Sequence, residues 1–375
     1  MIIAGEASGD LHGAHLVRAM RALNPDLDFF GIGGNALRQV GVHLMVDNSQ
    51  IAVVGISEAF LKFRIILSAL RVAKEGLRKI RPALLIVIDF PDFNLHVATA
   101  AKKLSIPVMY YISPQVWAWR TGRVKKIKNV VDHMVVIFPF EVDFYKKSNV
   151  PVTFVGHPLL DSMTSGTSRE KKKNLKGDSL IIGLLPGSRN GEVARLLPTM
   201  VKVADILSEQ LPSVRFAIPV ASSVDRTMVE AIVEEGTTAR PLILHDGLRD
   251  VLDEAALVIT ASGTVTLEAA IAGTPMIIVY KVSPLSYWLG KRLIRVKHIG
   301  MANLVAGRPI VPELIQHEAS AEKIARRALH MLRDEKALAE IRRQLRHVAQ
   351  SLGTSGASKR AAEVAMNLLS GSCAA

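Results

Sequence analysis

Short apolar runs recur along the chain with helix-length segments between them. LDFFGIG (27–33), ALLIVID (83–89), VMYYIS (108–113), MVVIFPF (134–140) and VTFVG (152–156) read as strands, and helical patterns separate them. The alternation resumes after residue 178 with SLIIGLL, VRFAIPV, PLILHD, ALVITAS and PMIIVY. Continuous apolar strands alternating with helices predict parallel sheets covered on both faces, so the pattern predicts two doubly wound, Rossmann-like α/β domains. They are expected to face each other across a cleft at the carboxyl ends of their strands, where such sheets bind ligands.

The stretch TSGTSREKKKNLKGD (164–178) is small, polar and charged, as an exposed connection should be. It predicts an N-terminal domain over 1–168, a C-terminal domain over 176–345, and a closing helix and tail over 346–375. The halves also open alike: IIAGEASGDLHGAHLVRAM and IIGLLPGSRNGEVARLLPTM each run strand, Gly/Ser turn, helix.

Composition narrows the partners. At 375 residues the chain exceeds what one core usually fills. Its 47 Lys and Arg against 34 Asp and Glu leave +13, which favours an anionic partner: nucleic acid, acidic lipid or a phosphorylated small molecule. Aromatics are only 5%, and no basic run is interleaved with them, which argues against nucleic acid. The lone Cys373 gives no disulfide framework and points to a reducing, cytoplasmic compartment. Glu6 precedes any signal-peptide core, and the abrupt start leaves the beginning of the first strand open. The longest uncharged stretches fall short of the roughly 18 apolar residues of a membrane span.

Candidate chemistry lies where strands end. In LLPGSRNGEV (184–193), Gly187 and Ser188 let backbone N–H groups approach an anion at a helix start, and Arg189 adds a charge suited to phosphate oxygens. The turn is neither a Walker A loop nor a GxGxxG fingerprint, and a tight turn with a solvated arginine reads the same. In ASGTVTLEAA (261–270), Ser262, Gly263 and Thr264 form a second strand-to-helix turn. With Ser262 as the expected N-cap, Glu268 lies beyond the capping-box position and suits ribose hydroxyls, with an ordinary surface helix glutamate as the alternative.

The first half carries acids instead. LLIVIDFPDFN (84–94) runs a buried-looking strand into Asp89, the candidate general base, because desolvation at a strand end raises a carboxyl pKa toward a useful value. Asp92, the second catalytic candidate, follows at the next helix start, where acids are favoured anyway. In GEASGD (5–10), Glu6 and Asp10 replace a cation and suit hydroxyls better than phosphate, with N-capping by Ser8 or Asp10 as the alternative. His157 in GHPLLD (156–161) reads equally as a site residue or a turn histidine. The Asp26-Leu27-Asp28 acids precede a strand, at the wrong edge for a ligand, and no HExxH or Cys cluster occurs, so neither metal nor cofactor is expected.

These stretches, with SPQVWAWR (113–120), FPFE (138–141) and NLVAGR (303–308), resemble in order the lipid A disaccharide synthases, glycosyltransferases of the two-domain GT-B fold. The resemblance implies condensation of UDP-2,3-diacylglucosamine with 2,3-diacylglucosamine 1-phosphate, inverting the donor carbon and releasing UDP. It implies that Arg189 meets the diphosphate, Glu268 the ribose and Asp89 the acceptor hydroxyl, with Glu6, Ser8 and Asn303 lining the cleft. It also implies a cytoplasmic protein peripheral on the inner face of the inner membrane, and a homodimer with exchanged C-terminal parts.

The segment 57–80 combines an apolar body, including Phe60, Phe63, Ile66, Leu67 and Leu70, with basic flanks. An interfacial helix has this make-up, as does a core helix with a solvated face; two diacylated substrates favour membrane docking or acyl-chain binding. Rival readings are an enzyme like UDP-N-acetylglucosamine 2-epimerase, which acts on one soluble sugar, and a non-catalytic module on anionic lipid.

Overall fold

The structure, a computed structural model, describes residues 1–48, 59–119, 122–165, 179–283, 287–288 and 297–371, without the side chains of 59–63, 119, 164 and 165. The expected interdomain connection from 166 to 178 lies outside the described residues. The chain forms two compact units, Met1–Ser165 with Leu352–Ala375, and Gly166–Ser351.

The first unit is built on seven parallel strands: β1 (Ile2–Ala4), β2 (Phe30–Gly33), β3 (His43–Asp47), β4 (Leu85–Ile88), β5 (Val108–Tyr111), β6 (His133–Val136) and β7 (Val152–Phe154). Their order is β3-β2-β1-β4-β5-β6-β7. The second unit has β8 (Leu180–Leu185), β9 (Val214–Val220), β10 (Leu242–His245), β11 (Leu257–Ala261), β12 (Met276–Tyr280) and β13 (Glu313–Ile315), in the order β10-β9-β8-β11-β12-β13. Every pairing is parallel. The continuous apolar runs follow from this arrangement: β4, as LIVI, is buried at every position, because helices cover both faces of a parallel sheet.

In each sheet the order reverses once, between β1 and β4 and between β8 and β11. At such a switch point the connections leave in opposite directions, opening a crevice beyond the strand ends. The turns after these four strands are Gly5–Glu6, Asp89–Phe90, Pro186–Arg189 and Ser262–Thr264.

The closing helix, Ala357–Leu369, belongs to the first unit and lays Ala357, Ala361, Ala362, Ala365 and Leu368 into buried positions. Among its neighbours is the first helix, Ala7–Leu23. Arg360 donates to the carbonyls of Val155, Thr354 and Ser355, and the His157 amide donates to Leu352 O.

Candidate functional site

In the first unit, Ala4 of β1 is in register with Ile88 of β4, so Glu6 and Asp89 leave neighbouring strands on the same side. Asp89 and Phe90 both adopt left-handed backbone, at φ 46° and 43°. Non-glycine residues pay about 1–2 kcal/mol each for that region. Pro91 then opens the helix Pro91–Lys103. Burial, and secondarily the charge of Glu6, push the Asp89 carboxyl up to about 6. The acid is therefore tuned between an ordinary carboxylate and a base matched to neutral pH.

Glu6 and Ser8 are exposed at the start of the first helix, whereas Asp10 is buried. Asp10 does not cap its own helix. Its carboxylate accepts from the amides of Gly34, Ala36 and Leu37 at 2.6, 2.8 and 3.2 Å, so it anchors the short helix Asn35–Gln39. Asp92, on the first turn of its helix, is exposed and ion-paired with Arg123. His157 is a buried turn residue: its Nδ1 accepts from Leu159 N at 3.2 Å and its ring packs on Phe138, while burial and the neighbouring His12 hold it neutral, down to about 3.

The SPQVWAWR and FPFE stretches meet as well. Trp117 Nε1 and Phe138 N donate to buried Glu141 at 3.0 and 3.1 Å, and burial pushes that carboxyl up to about 7. Arg120 lies outside the described residues.

In the second unit, Gly187 takes φ 121°, and Arg189 is the N-cap residue of the long helix Asn190–Gln210. Ser223 Oγ donates to Ser188 O at 2.8 Å, pinning the turn to the segment after β9. Arg189, with 79% of its side chain exposed, contacts Glu192 at 3.2 Å, and Ser188 N donates to the same carboxylate at 3.3 Å. Two donors of the predicted diphosphate cradle thus converge on one anionic group.

Next to it, the turn after β11 corrects the expected cap. The helix Val265–Ala272 begins after Thr264, and Ser262 Oγ donates instead to Ile299 O at 2.9 Å. Glu268 still lies past the capping-box position, since Leu267 is third in the helix, and burial raises its pKa. Gly263 leaves open space where a Cβ would stand. Asn303, expected to line the cleft, instead braces the protein from within: it is fully buried and its amide is satisfied by neighbouring groups. It donates to Val311 O and Glu313 Oε1, both at 2.8 Å, and accepts from the Ile310 and Val311 amides.

The helix Ala59–Ile80 turns Ala69, Ala73, Gly76 and Leu77 inward. Ile66 and Leu70 are half-buried against the core, so Ile66 does not share a free face with Leu67, which is 47% exposed. Phe60 and Phe63 are among the side chains not described. A recess of about 340 Å³ beside β3 is lined by Leu44, Met45, Val46, Ile65 and Ala69, with Arg38 and Asp47 at it. Among the described residues no helix is long and apolar enough to cross a membrane, and no three His, Cys, Asp or Glu side chains gather as metal ligands.

The family model described as Lipid-A-disaccharide synthetase matches residues 1–367. The chain is 48% identical to the lipid-A-disaccharide synthase of Geobacter metallireducens, over 98% of this chain and 97% of that one. To the Coxiella burnetii enzyme of the same name it is 42% identical over 98% of both. Among solved structures it is similar to a UDP-GlcNAc 2-epimerase from Neisseria meningitidis bound to UDP-GlcNAc, with TM-score 0.63 at 11% identity over 96% of this chain and 98% of that one. Acinetobacter baumannii MurG gives TM-score 0.60 at 15% identity over 98% of both chains. At those identities the structural likeness is one of fold.

Proposed function

The chain belongs to the lipid-A-disaccharide synthetase family, and we propose from that premise how its turns divide the work of glycosyl transfer. It is a glycosyltransferase of lipid A biosynthesis, with the GT-B fold. In our reading the donor is UDP-2,3-diacylglucosamine and the acceptor 2,3-diacylglucosamine 1-phosphate. The acceptor hydroxyl attacks the anomeric carbon of the donor while the carbon–oxygen bond to UDP breaks, so the centre inverts and UDP departs with the bonding pair.

Asp89 takes the hydroxyl proton. Burial, with the charge of Glu6 second, keeps that carboxyl above the ordinary range, and Glu6 accepts a hydrogen bond from a sugar hydroxyl; Asp92, exposed and paired with Arg123, is the weaker candidate for base. Negative charge develops on the departing diphosphate, and a fixed cation with helix-end amides stabilises it. Gly187, Ser188 and Arg189 supply these once Glu192 yields its contacts to the phosphates. Ser262, Gly263 and Thr264 shape the neighbouring wall, and Glu268 accepts the ribose hydroxyls. Peripheral docking on the inner face of the inner membrane, through the basic and apolar 57–80 segment, brings the acylated substrates to hand, and a homodimer is the proposed assembly.

The observation that carries this reading is the desolvated Asp89 carboxylate beside Glu6 at a switch point. The test is incubation of the protein with the UDP-diacylglucosamine and the acylated sugar 1-phosphate, with mass spectrometry of the products. Equimolar UDP and disaccharide 1-phosphate are expected. A free sugar epimer, or UDP without disaccharide, overturns it.

A further inference from the structure

The turn that carries Asp89 is held by two side chains that sequence reading passes over. Tyr110, on neighbouring β5, donates its hydroxyl to Asp89 O at 2.6 Å. Asn94, in the first turn of the helix Pro91–Lys103, donates to the same carbonyl at 2.7 Å and to Ile88 O at 3.1 Å. Both side chains are fully buried. The Phe90 ring closes the turn from the other side: a Cβ on Gly5 would stand 2.5 Å from it, so only glycine before Glu6 permits the fit. Two successive left-handed non-glycine residues persist only where the surroundings over-determine them.

We propose that Tyr110 and Asn94 are positioning residues for the general base, fixing the Asp89 peptide so that its carboxylate points at the acceptor hydroxyl. This rests on the reading of Asp89 as base. A carbonyl with two buried donors cannot rotate without leaving at least one unpaired, and Asn94 also holds the preceding carbonyl of Ile88, so the peptide planes on both sides of Asp89 are fixed and with them its φ, its ψ and its Cα–Cβ direction. A misplacement of about 1 Å at a reacting group costs on the order of a hundredfold in rate. The titratable and charged groups around the turn are Glu6 facing Asp89, and Tyr145 and Arg123 acting on Tyr110.

The experiment measures kcat, donor KM, the pH profile and UDP affinity for Tyr110→Phe and Asn94→Ala, beside Asp89→Asn. Tyr110→Phe keeps the buried ring, so it decides the matter even should Asn94→Ala fail to fold. Expected for Tyr110→Phe is a fall in kcat of roughly ten- to a hundredfold, with donor KM and UDP affinity unchanged. The acid limb of the profile should move to lower pH, as water reaches the loosened carboxylate. A wild-type kcat overturns the proposal, and so does a lowered kcat with an unmoved acid limb, which marks a merely structural hydroxyl. If Asp89→Asn itself retains turnover, the base reading falls and the proposal with it. If Asp89→Asn is inactive while Tyr110→Phe behaves as wild type, only the positioning proposal falls.

Discussion

Asp89 sits where its ionised form is costly, and that makes its contribution to stability as testable as its chemistry. Its folded pKa of about 6 lies above its ordinary 3.8, so between those values the folded protein holds a proton that the unfolded chain has released. Stability therefore falls as pH rises through that window, by at most about 3 kcal/mol once Asp89 is fully ionised. Asp89→Asn removes this penalty and suits the left-handed backbone, because asparagine tolerates it well. The variant should melt higher than wild type at pH 8, with the advantage shrinking toward pH 4, while turnover falls roughly 10²- to 10⁴-fold. Scanning calorimetry across pH and a product assay check the two halves; a lower melting temperature at pH 8 contradicts the burial argument. Arg189 makes the opposite case. It is exposed and already paired with Glu192, so its contact with a diphosphate replaces one ion contact by another. Arg189→Ala should weaken UDP by only about tenfold, near the lower end of the 1.5–3 kcal/mol of a charged hydrogen bond, as read by titration calorimetry. Both candidates are picked out by the sequence because each stands in the turn that follows an apolar run. Asn303, placed in the cleft by the resemblance alone, and Asp10 are held within their own units by partners that no sequence pattern reveals.

At the scale of elements, the helix Ala59–Ile80 shows what periodicity does and does not reveal. An inward stripe of Ala69, Ala73 and Leu77, at helical spacing of four, keeps the helix close to its sheet, and Gly76 leaves room for the Met45 side chain. Larger apolar residues then remain for the flanks, where the sequence pattern marks them as one broad face. Only packing separates them: Ile66 and Leu70 lean on the core, and Leu67 does not. Leu67→Ser should thus leave the melting temperature almost unchanged yet weaken binding to vesicles of anionic phospholipid. About half of a leucine's burial is at stake, roughly 1 kcal/mol or fivefold in vesicle affinity. Co-sedimentation measures it, and unchanged sedimentation excludes this side chain from docking. Strand identity is readable because parallel strands buried on both faces appear as unbroken apolar runs. Strand order is not, because pairing joins residues far apart in sequence. The adjacency of Glu6 to Asp89, and of the Arg189 turn to the Ser262 turn, therefore emerges only from the switch points.

The whole molecule is organised by a chain that leaves its first unit, builds the second and returns. The sequence sets the closing helix apart as a tail because a short alanine-rich stripe, Ala357, Ala361, Ala362 and Ala365, gives no hint of its partner. In the structure that stripe seats against the first unit, whose Val155 carbonyl and Asp161 carboxylate bond Arg360 and Gly356 of the returning chain. Truncation after Ser351 removes these contacts. The first unit should lose a few kcal/mol, or roughly 10 °C of melting temperature at this size, because apolar surface and buried carbonyls are exposed together. The second unit retains β8 to β13, the Gly187–Arg189 turn and Glu268, none of which the closing helix contributes. Calorimetry of the truncated chain should then show a lowered transition for the first unit, and a second transition that UDP still raises, since a ligand that binds one folded unit stabilises that unit. Loss of both transitions would mean that the two units do not fold as separate bodies, and loss of the UDP effect alone would mean that the second unit does not hold the UDP site by itself.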